Sequence, residues 1–94
     1  MESGNNIIAF MQSSGYIRLE ENTTATSKIL YQAYCRWCED NTEKPMSAKS
    51  FSGYLKENEK KYHIHYSTNI PSDNGKNARG FQGIHTQIRI DNYR

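Results

Sequence analysis

The segment Met46-Ser-Ala-Lys-Ser-Phe-Ser-Gly-Tyr-Leu-Lys56 predicts a short helix with Ser47 as its N-cap. Downstream, residues 62–66 and 81–90 have the composition of two β-strands, and residues 69–80 form a polar, glycine-containing loop between them. A helix followed by a two-stranded hairpin, or wing, is the order of elements that presents a basic helix face to a DNA groove. We therefore predict an α+β fold: a winged helix-turn-helix with three helices and a small antiparallel sheet.

The preceding part of the chain predicts the other two helices. Residues 5–11 form the first, with Asn5 or Asn6 as its N-cap and Gly15 available for a left-handed C-cap. Residues 16–19 predict a brief extended segment, and residues 20–24 predict a polar connector. Thr26 then opens the strongest helix, whose apolar positions form one wide stripe: Ile29, Leu30, Ala33, Tyr34, Trp37 and Cys38.

Pro45 ends this second helix, because proline disfavours helical backbone at the preceding Lys44. Two aromatic residues of the second helix, Tyr34 and Trp37, are expected to meet Phe51 of the third helix at the centre of the core. A chain of this length buries only a small core, so these three rings are a large part of it.

The third helix has two different faces. Advancing about 100° per residue from Phe51 separates an inward side from an outward side. The inward positions are Ala48, Tyr54, Leu55 and Asn58, and the outward positions are Lys49, Gly53, Lys56 and Lys60, flanked by Ser50 and Ser52. Such lysines, beside a glycine without a side chain, form a face that can lie close to a phosphate backbone. The competing interpretation is an ordinary solvated face, because lysines usually face water.

The predicted hairpin alternates with a period of two residues. Tyr62, Ile64 and Tyr66 share one side of its first strand, and His63 and His65 share the other. Basic and polar side chains occupy the return side of the loop: Lys76, Asn77 and Arg79. On the last strand Phe81 has one parity, whereas the other is shared by Ile84, Thr86, Ile88 and Ile90. Gly83 between them predicts a bulge or a close backbone approach at which the facing switches.

Length and charge limit the class of protein. The 94 residues predict one domain, expected to be a piece of a longer protein, with residues 1–4 disordered. The net charge is +2, but residues 1–43 carry −3 and residues 44–94 carry +5. This asymmetry indicates that the C-terminal half faces a polyanion, although the pI of 8.6 is modest for a nucleic-acid-binding domain. No apolar run approaches the roughly 20 residues of a membrane span, and no secretory signal is visible.

The cysteines and histidines raise two further possibilities, a zinc or redox site and a catalytic site. Cys35 and Cys38 have the spacing of half a zinc site or of a redox pair, and His63 and His65 would have to complete a zinc site. However, Cys38 lies on the apolar stripe in mid-helix, where a thiol packs as a small hydrophobe. His63, His65 and His85 lack an evident nucleophile and acid, so we expect no catalytic residue, metal or cofactor in this domain. Two cysteines without an export signal indicate a reducing cytoplasm.

Several motifs resemble the C-terminal domain of phage- and plasmid-type primase–helicases, the poxvirus-like replication proteins of mobile genetic elements. They are Leu30-Tyr31-x-x-Tyr34-x-x-Trp37-Cys38, Pro45-Met-Ser47, Phe51 and Leu55, and Arg79-Gly-Phe-Gln-Gly83-Ile84. The resemblance covers roughly residues 5–90. It implies a winged helix-turn-helix that contacts duplex or origin DNA beside an adjoining ATP-driven helicase domain, with no enzyme activity of its own.

The chain departs from the family pattern at three places. Met46 replaces a leucine and Phe81 replaces a tyrosine, both mild changes, and the loop at residues 69–78 is longer than the family's usual wing. A phosphate-binding Gly-x-x-x-x-Gly-Lys-Ser/Thr motif is absent from the sequence, so any helicase chemistry would belong to another part of the parent protein.

The predicted DNA-contacting residues fall in two groups. On the third helix they are Lys49, Ser50, Ser52, Gly53, Lys56 and Lys60, and on the wing they are Lys76, Asn77 and Arg79. Arg79 has two possible roles, a phosphate contact or a salt bridge that fixes the wing.

The isolated domain is expected to be monomeric. The sequence leaves two alternative functions open. One is a protein–protein docking module, for which the tyrosine-rich composition is suitable. The other is single-strand or RNA binding, with bases stacked on Tyr62, Tyr66 and Phe81.

Overall fold

The computed structural model describes residues 6–13, 15–72 and 75–87. These residues form an α+β fold with four helices and one antiparallel three-stranded sheet, in which the strand order is β1-β3-β2. The elements in chain order are α1 (Asn6–Met11), β1 (Ile17–Thr26), α2 (Ser27–Asp40), α3 (Ala48–Glu57), α4 (Glu59–Tyr62), β2 (His65–Pro71) and β3 (Asn77–Thr86). No helix in this described part of the chain combines the length and apolar character needed to cross a membrane.

Local capping chemistry sets the starts of the two long helices. The Thr26 side chain accepts a hydrogen bond from Ile29 N at 3.2 Å, and the Ser47 side chain accepts one from Ser50 N at 3.2 Å. The predicted Ser47 cap is confirmed, and Thr26, which was predicted to open the second helix, is its N-cap. Asn5 lies outside the described residues, and Gly15 does not have the left-handed backbone predicted for it, because α1 ends earlier, at Met11.

The core forms where α1, α2 and α3 meet. The rings of Tyr34 and Phe51 are stacked, with centroids 4.9 Å apart and an interplanar angle of 16°. Phe10 meets Tyr34 edge-on at 5.6 Å, an arrangement that aromatic quadrupoles favour. Tyr34 and Phe51 are fully buried, as predicted, whereas Trp37 is half-buried and lies at the margin. Burial raises the pKa of the Tyr34 hydroxyl to about 12.

Strand β1 includes the segment predicted as a polar connector. Leu19 pairs with Ile84 and Thr24 pairs with Gln82, so residues 20–23 bulge out opposite a single residue of β3. Within the bulge, Asn22 has a φ of 67° and the Thr23 hydroxyl donates to Glu20 O at 2.6 Å. The segment is polar, as the sequence indicated, but it is a bulge within β1, and β1 pairs with β3 on both sides of it.

The hairpin differs from its prediction at both ends. Tyr62 is the buried last residue of α4, and His63 ends that helix with a left-handed φ of 58°, so the predicted strand at residues 62–66 is wrong before His65. Conversely, Ile70 pairs with Ala78 and Pro71 pairs with Asn77, which shortens the predicted loop to residues 72–76. Ile88 and Ile90 lie outside the described residues.

Gly83 is the close-approach point that the sequence predicted. Its φ is 89°, and a Cβ at this position would lie 2.7 Å from His63 O. Phe81 and Ile84 are both fully buried although their parities differ, which confirms the switch in facing.

Candidate nucleic-acid interface

Helix α3 carries the predicted polar face. Lys49, Ser50 and Lys56 are exposed, and Ser52 and Gly53 are half-buried. A Cβ built on Gly53 would have no heavy atom within 4 Å apart from its own helix backbone, so the surface over this glycine is open. On the opposite side Phe51 and Leu55 are buried. Ala48, predicted to face inward, is exposed because it is the first residue of the helix.

Lys60 does not belong to this helix. α3 ends at Glu57, and Asn58 has a φ of −120° and a ψ of 28°, which interrupts the helical rotation. Lys60 is exposed on the short helix α4 that follows. The rotation that grouped Lys60 with Lys49 and Lys56 therefore does not extend across Asn58, and the α3 face retains two of its three predicted lysines.

Lys56 links the end of α3 to the base of the hairpin. Its Nζ lies 4.4 Å from the centroid of the Tyr66 ring, a cation–π arrangement. The Tyr66 ring in turn meets Phe81 edge-on at 5.4 Å, and Tyr66 N donates to Glu59 Oε2 at 3.1 Å. These contacts fix where the Lys56 ammonium lies while leaving the side chain exposed.

The tip of the hairpin carries the second group of predicted residues. Lys76, Asn77 and Arg79 are all exposed, and Ser72 N donates to Lys76 O at 3.2 Å across the turn. Within the described residues no carboxylate pairs with Arg79, so the salt bridge considered for it finds no partner there. The tip lies about 13 Å from Tyr66 along β3, because Phe81 and Asn77, the partners of Tyr66 and Pro71, are four positions apart on that strand.

A groove that sequence reasoning missed lies between the start of α2 and the tip of the hairpin. Its volume is about 550 Å³, and its lining includes Lys28 and Gln32 from α2 and Arg79 from β3. β3 reaches this place because Gly80 pairs with Thr26, the residue before α2. In the sequence Lys28 and Gln32 are ordinary polar positions of an amphipathic helix, and no local signal joins them to a residue some 50 positions later.

The fold buries most of the aromatic surface that single-strand or RNA binding would require. Phe81 is fully buried and Tyr62 is only 8% exposed, so neither ring can stack on a base. Tyr66 alone of the three is half-exposed, and Lys56 lies over its ring. Of these three rings, only that of Tyr66 could stack on an unpaired base.

Tyrosine hydroxyls serve internal contacts instead of forming an open docking surface. The Tyr16 hydroxyl donates to Asp40 Oδ2 at 2.5 Å, and the Tyr31 hydroxyl donates to Met46 O at 2.7 Å. The hydroxyl groups of Tyr54 and Tyr62 form a hydrogen bond with each other, with their oxygens 2.7 Å apart. The tyrosine content that suggested protein docking is thus largely explained by the fold.

The cysteines and histidines do not come together. Cys38 is fully buried, and burial raises the pKa of its thiol, which disfavours the reactive thiolate. His65 lies 3.9 Å from Glu59, whereas His85 lies 3.2 Å from Glu20 on the other outer strand. Among the described residues no three His, Cys, Asp or Glu side chains form a metal-binding group.

Comparisons of the chain with known protein families, with curated proteins and with solved structures found no match. The resemblance to primase–helicases therefore rests on the sequence motifs and stays a hypothesis. Function has to be inferred from the geometry of α3 and the hairpin and from the charges that they carry.

Proposed function

We propose that this domain is a winged helix-turn-helix that binds duplex DNA. The order α1-β1-α2-α3-α4-β2-β3, with the sheet order β1-β3-β2, supports it. In this interpretation α2 and α3 are the helix-turn-helix, α3 is the recognition helix, and the β2–β3 hairpin is the wing. The short helix α4 is an addition between the recognition helix and the wing.

The observation that carries the proposal is the exposed face of α3 beside the hairpin. Lys49 and Lys56 lie seven residues apart, which is about 10 Å along the helix, and Gly53 between them has open space above it. Phosphate groups would contact the two ammonium groups, and the missing side chain at Gly53 would let the backbone approach. Ser50 and Ser52 would donate hydrogen bonds to phosphates or base edges.

The wing would supply a second contact. Lys76, Asn77 and Arg79 would bind phosphates or an adjacent groove at a distance from α3 set by the length of the hairpin. Because these contacts are mainly electrostatic, affinity would fall steeply with salt. Four contacting cations (Lys49, Lys56, Lys76 and Arg79) correspond to a slope of log K against log salt concentration of about −3.6.

Fluorescence anisotropy with a labelled duplex of about 20 base pairs, measured over a salt series, tests the proposal. The Lys49→Ala/Lys56→Ala double variant should weaken binding on every duplex sequence and make the slope shallower by about 1.8. Arg18→Gln is a control, because it removes one charge near the far end of β3, where Arg18 pairs with His85 about 26 Å from Asn77. A flat salt dependence contradicts the electrostatic account, and wild-type binding by the double variant shows that α3 presents another face.

We further propose that the parent protein is a replication primase–helicase of a mobile genetic element, acting in the cytoplasm, with an ATP-driven helicase domain adjoining this one. The motif resemblance from Leu30 to Ile84 supports this part, and the domain would be monomeric when isolated. The gene that encodes the chain should contain a phosphate-binding Gly-Lys-Ser/Thr motif upstream. A parent gene that encodes no ATPase would contradict the assignment while leaving DNA binding intact.

A further inference from the structure

The groove between α2 and the hairpin differs in composition from the rest of the surface. Lys28 and Arg79 bring one positive charge each from two different elements, and Gln32, Ser27 and Ser72 add neutral polar groups. None of the described residues that line it carries a carboxylate. Arg79 and Lys28 also have no ion-pair partner within the described part of the chain. Two unneutralised cations facing one concave space favour an anion.

The charge in this groove comes from side chains. The first turn of α2 is already capped, because Thr26 Oγ1 accepts from Ile29 N and Thr26 is itself buried. An anion in the groove would therefore be held mainly by the Lys28 ammonium and by the Arg79 guanidinium, whose planar fork matches the two free oxygens of a phosphodiester.

We propose that this groove binds a backbone phosphate of the duplex, held between Lys28 and Arg79. The inference rests on the proposed DNA-binding function and deepens it, since it adds α2 to the contact surface and gives Arg79 a defined partner. The place fits that role because Arg79 lies two residues beyond Asn77, the first residue of β3, on the same strand as the wing contacts. One DNA strand could then contact the wing tip and the start of α2 in succession.

The test uses the full chain and the same anisotropy assay. Because Lys28 shares the phosphate already counted for Arg79, the number of neutralised phosphates stays at four and the wild-type salt slope stays near −3.6. Lys28→Gln should instead weaken binding at a fixed salt concentration by about 2- to 5-fold, the loss expected for one exposed ion pair. Arg18→Gln, which removes one charge elsewhere, should leave the affinity unchanged. Because Lys28 and Arg79 would hold one phosphate, the double variant Lys28→Gln/Arg79→Gln should lose less affinity than the product of the two single losses.

The outcomes separate this inference from the proposed function. If the wild-type protein binds the duplex and Lys28→Gln binds with the same affinity, the groove is not a phosphate site and DNA binding through α3 stands. If the wild-type protein does not bind the duplex, both proposals fail. A parallel titration with a single strand of equal length identifies the source of the phosphate: a loss by Lys28→Gln on the single strand alone overturns the duplex assignment.

Discussion

Replacing Gly53 with alanine should affect stability and DNA binding in opposite directions. Gly53 lies inside α3, where glycine is less favourable than alanine by about 1 kcal/mol. The added Cβ would meet nothing within 4 Å outside its own helix, so no steric cost offsets this gain. For a domain of this size, stabilisation by about 1 kcal/mol raises Tm by about 4–8 °C.

The same methyl group would project from the face proposed to contact DNA. If the phosphate backbone approaches Gly53 closely, the extra volume should cost about 1–3 kcal/mol, which is a loss of affinity of about 5- to 150-fold. Thermal unfolding followed by circular dichroism measures the first effect, and anisotropy with the labelled duplex measures the second.

Gly15→Ala provides a matched control, because a Cβ at Gly15 also has open space around it but lies outside α3. That variant should bind DNA as the wild type does. Failure of Gly53→Ala to raise Tm would show that residue 53 is not a regular helical position. A raised Tm with unchanged affinity would show that the DNA does not approach this face.

Two further predictions concern the fold. Gly80→Ala should lower the free energy of unfolding by about 1–3 kcal/mol or more, because its Cβ would overlap Ala25 O and lie 2.7 Å from Thr26 Cα; a urea midpoint equal to that of the wild type would contradict this close approach. Tyr34 should make stability fall between pH 10 and about 12, because its pKa is raised above the unfolded value of 10 and folding therefore opposes its ionisation. Absorbance at 295 nm (the tyrosinate band) and circular dichroism across this range test it, and Tyr34→Phe should remove that part of the pH dependence; an unchanged alkaline limb would refute the assignment.

Features set by nearby residues were predictable from the sequence. Thr26 and Ser47 are caps because a hydroxyl reaches the N–H three residues ahead whatever the rest of the chain does. The apolar stripe of α2 and the burial of Phe51 follow from helical periodicity. Gly83 was identified because a glycine at a change of parity usually marks a place where only glycine fits.

Features set by distant residues were not predictable in the same way. β1 continues past the polar residues 20–23 because β3 pairs on either side of them, and that partner lies some 60 positions later. Tyr62 was predicted to lie in a strand but is helical. The helix ends only at His63, whose left-handed backbone is rare for residues other than glycine. The placement of Lys60 on the α3 face was wrong for a related reason. Asn58 interrupts the helix, and no glycine or proline in the sequence marks this interruption.

The bulges in the sheet bear on how this domain can associate. Both outer strands are interrupted: residues 20–23 lie between paired positions in β1, and Thr68 and Asn69 do so in β2. Neither strand keeps more than three consecutive residues in register, so neither offers an unbroken row of backbone groups on which a strand of another molecule could grow. We expect the domain to resist fibre formation, and two copies brought together would have to join through other surfaces.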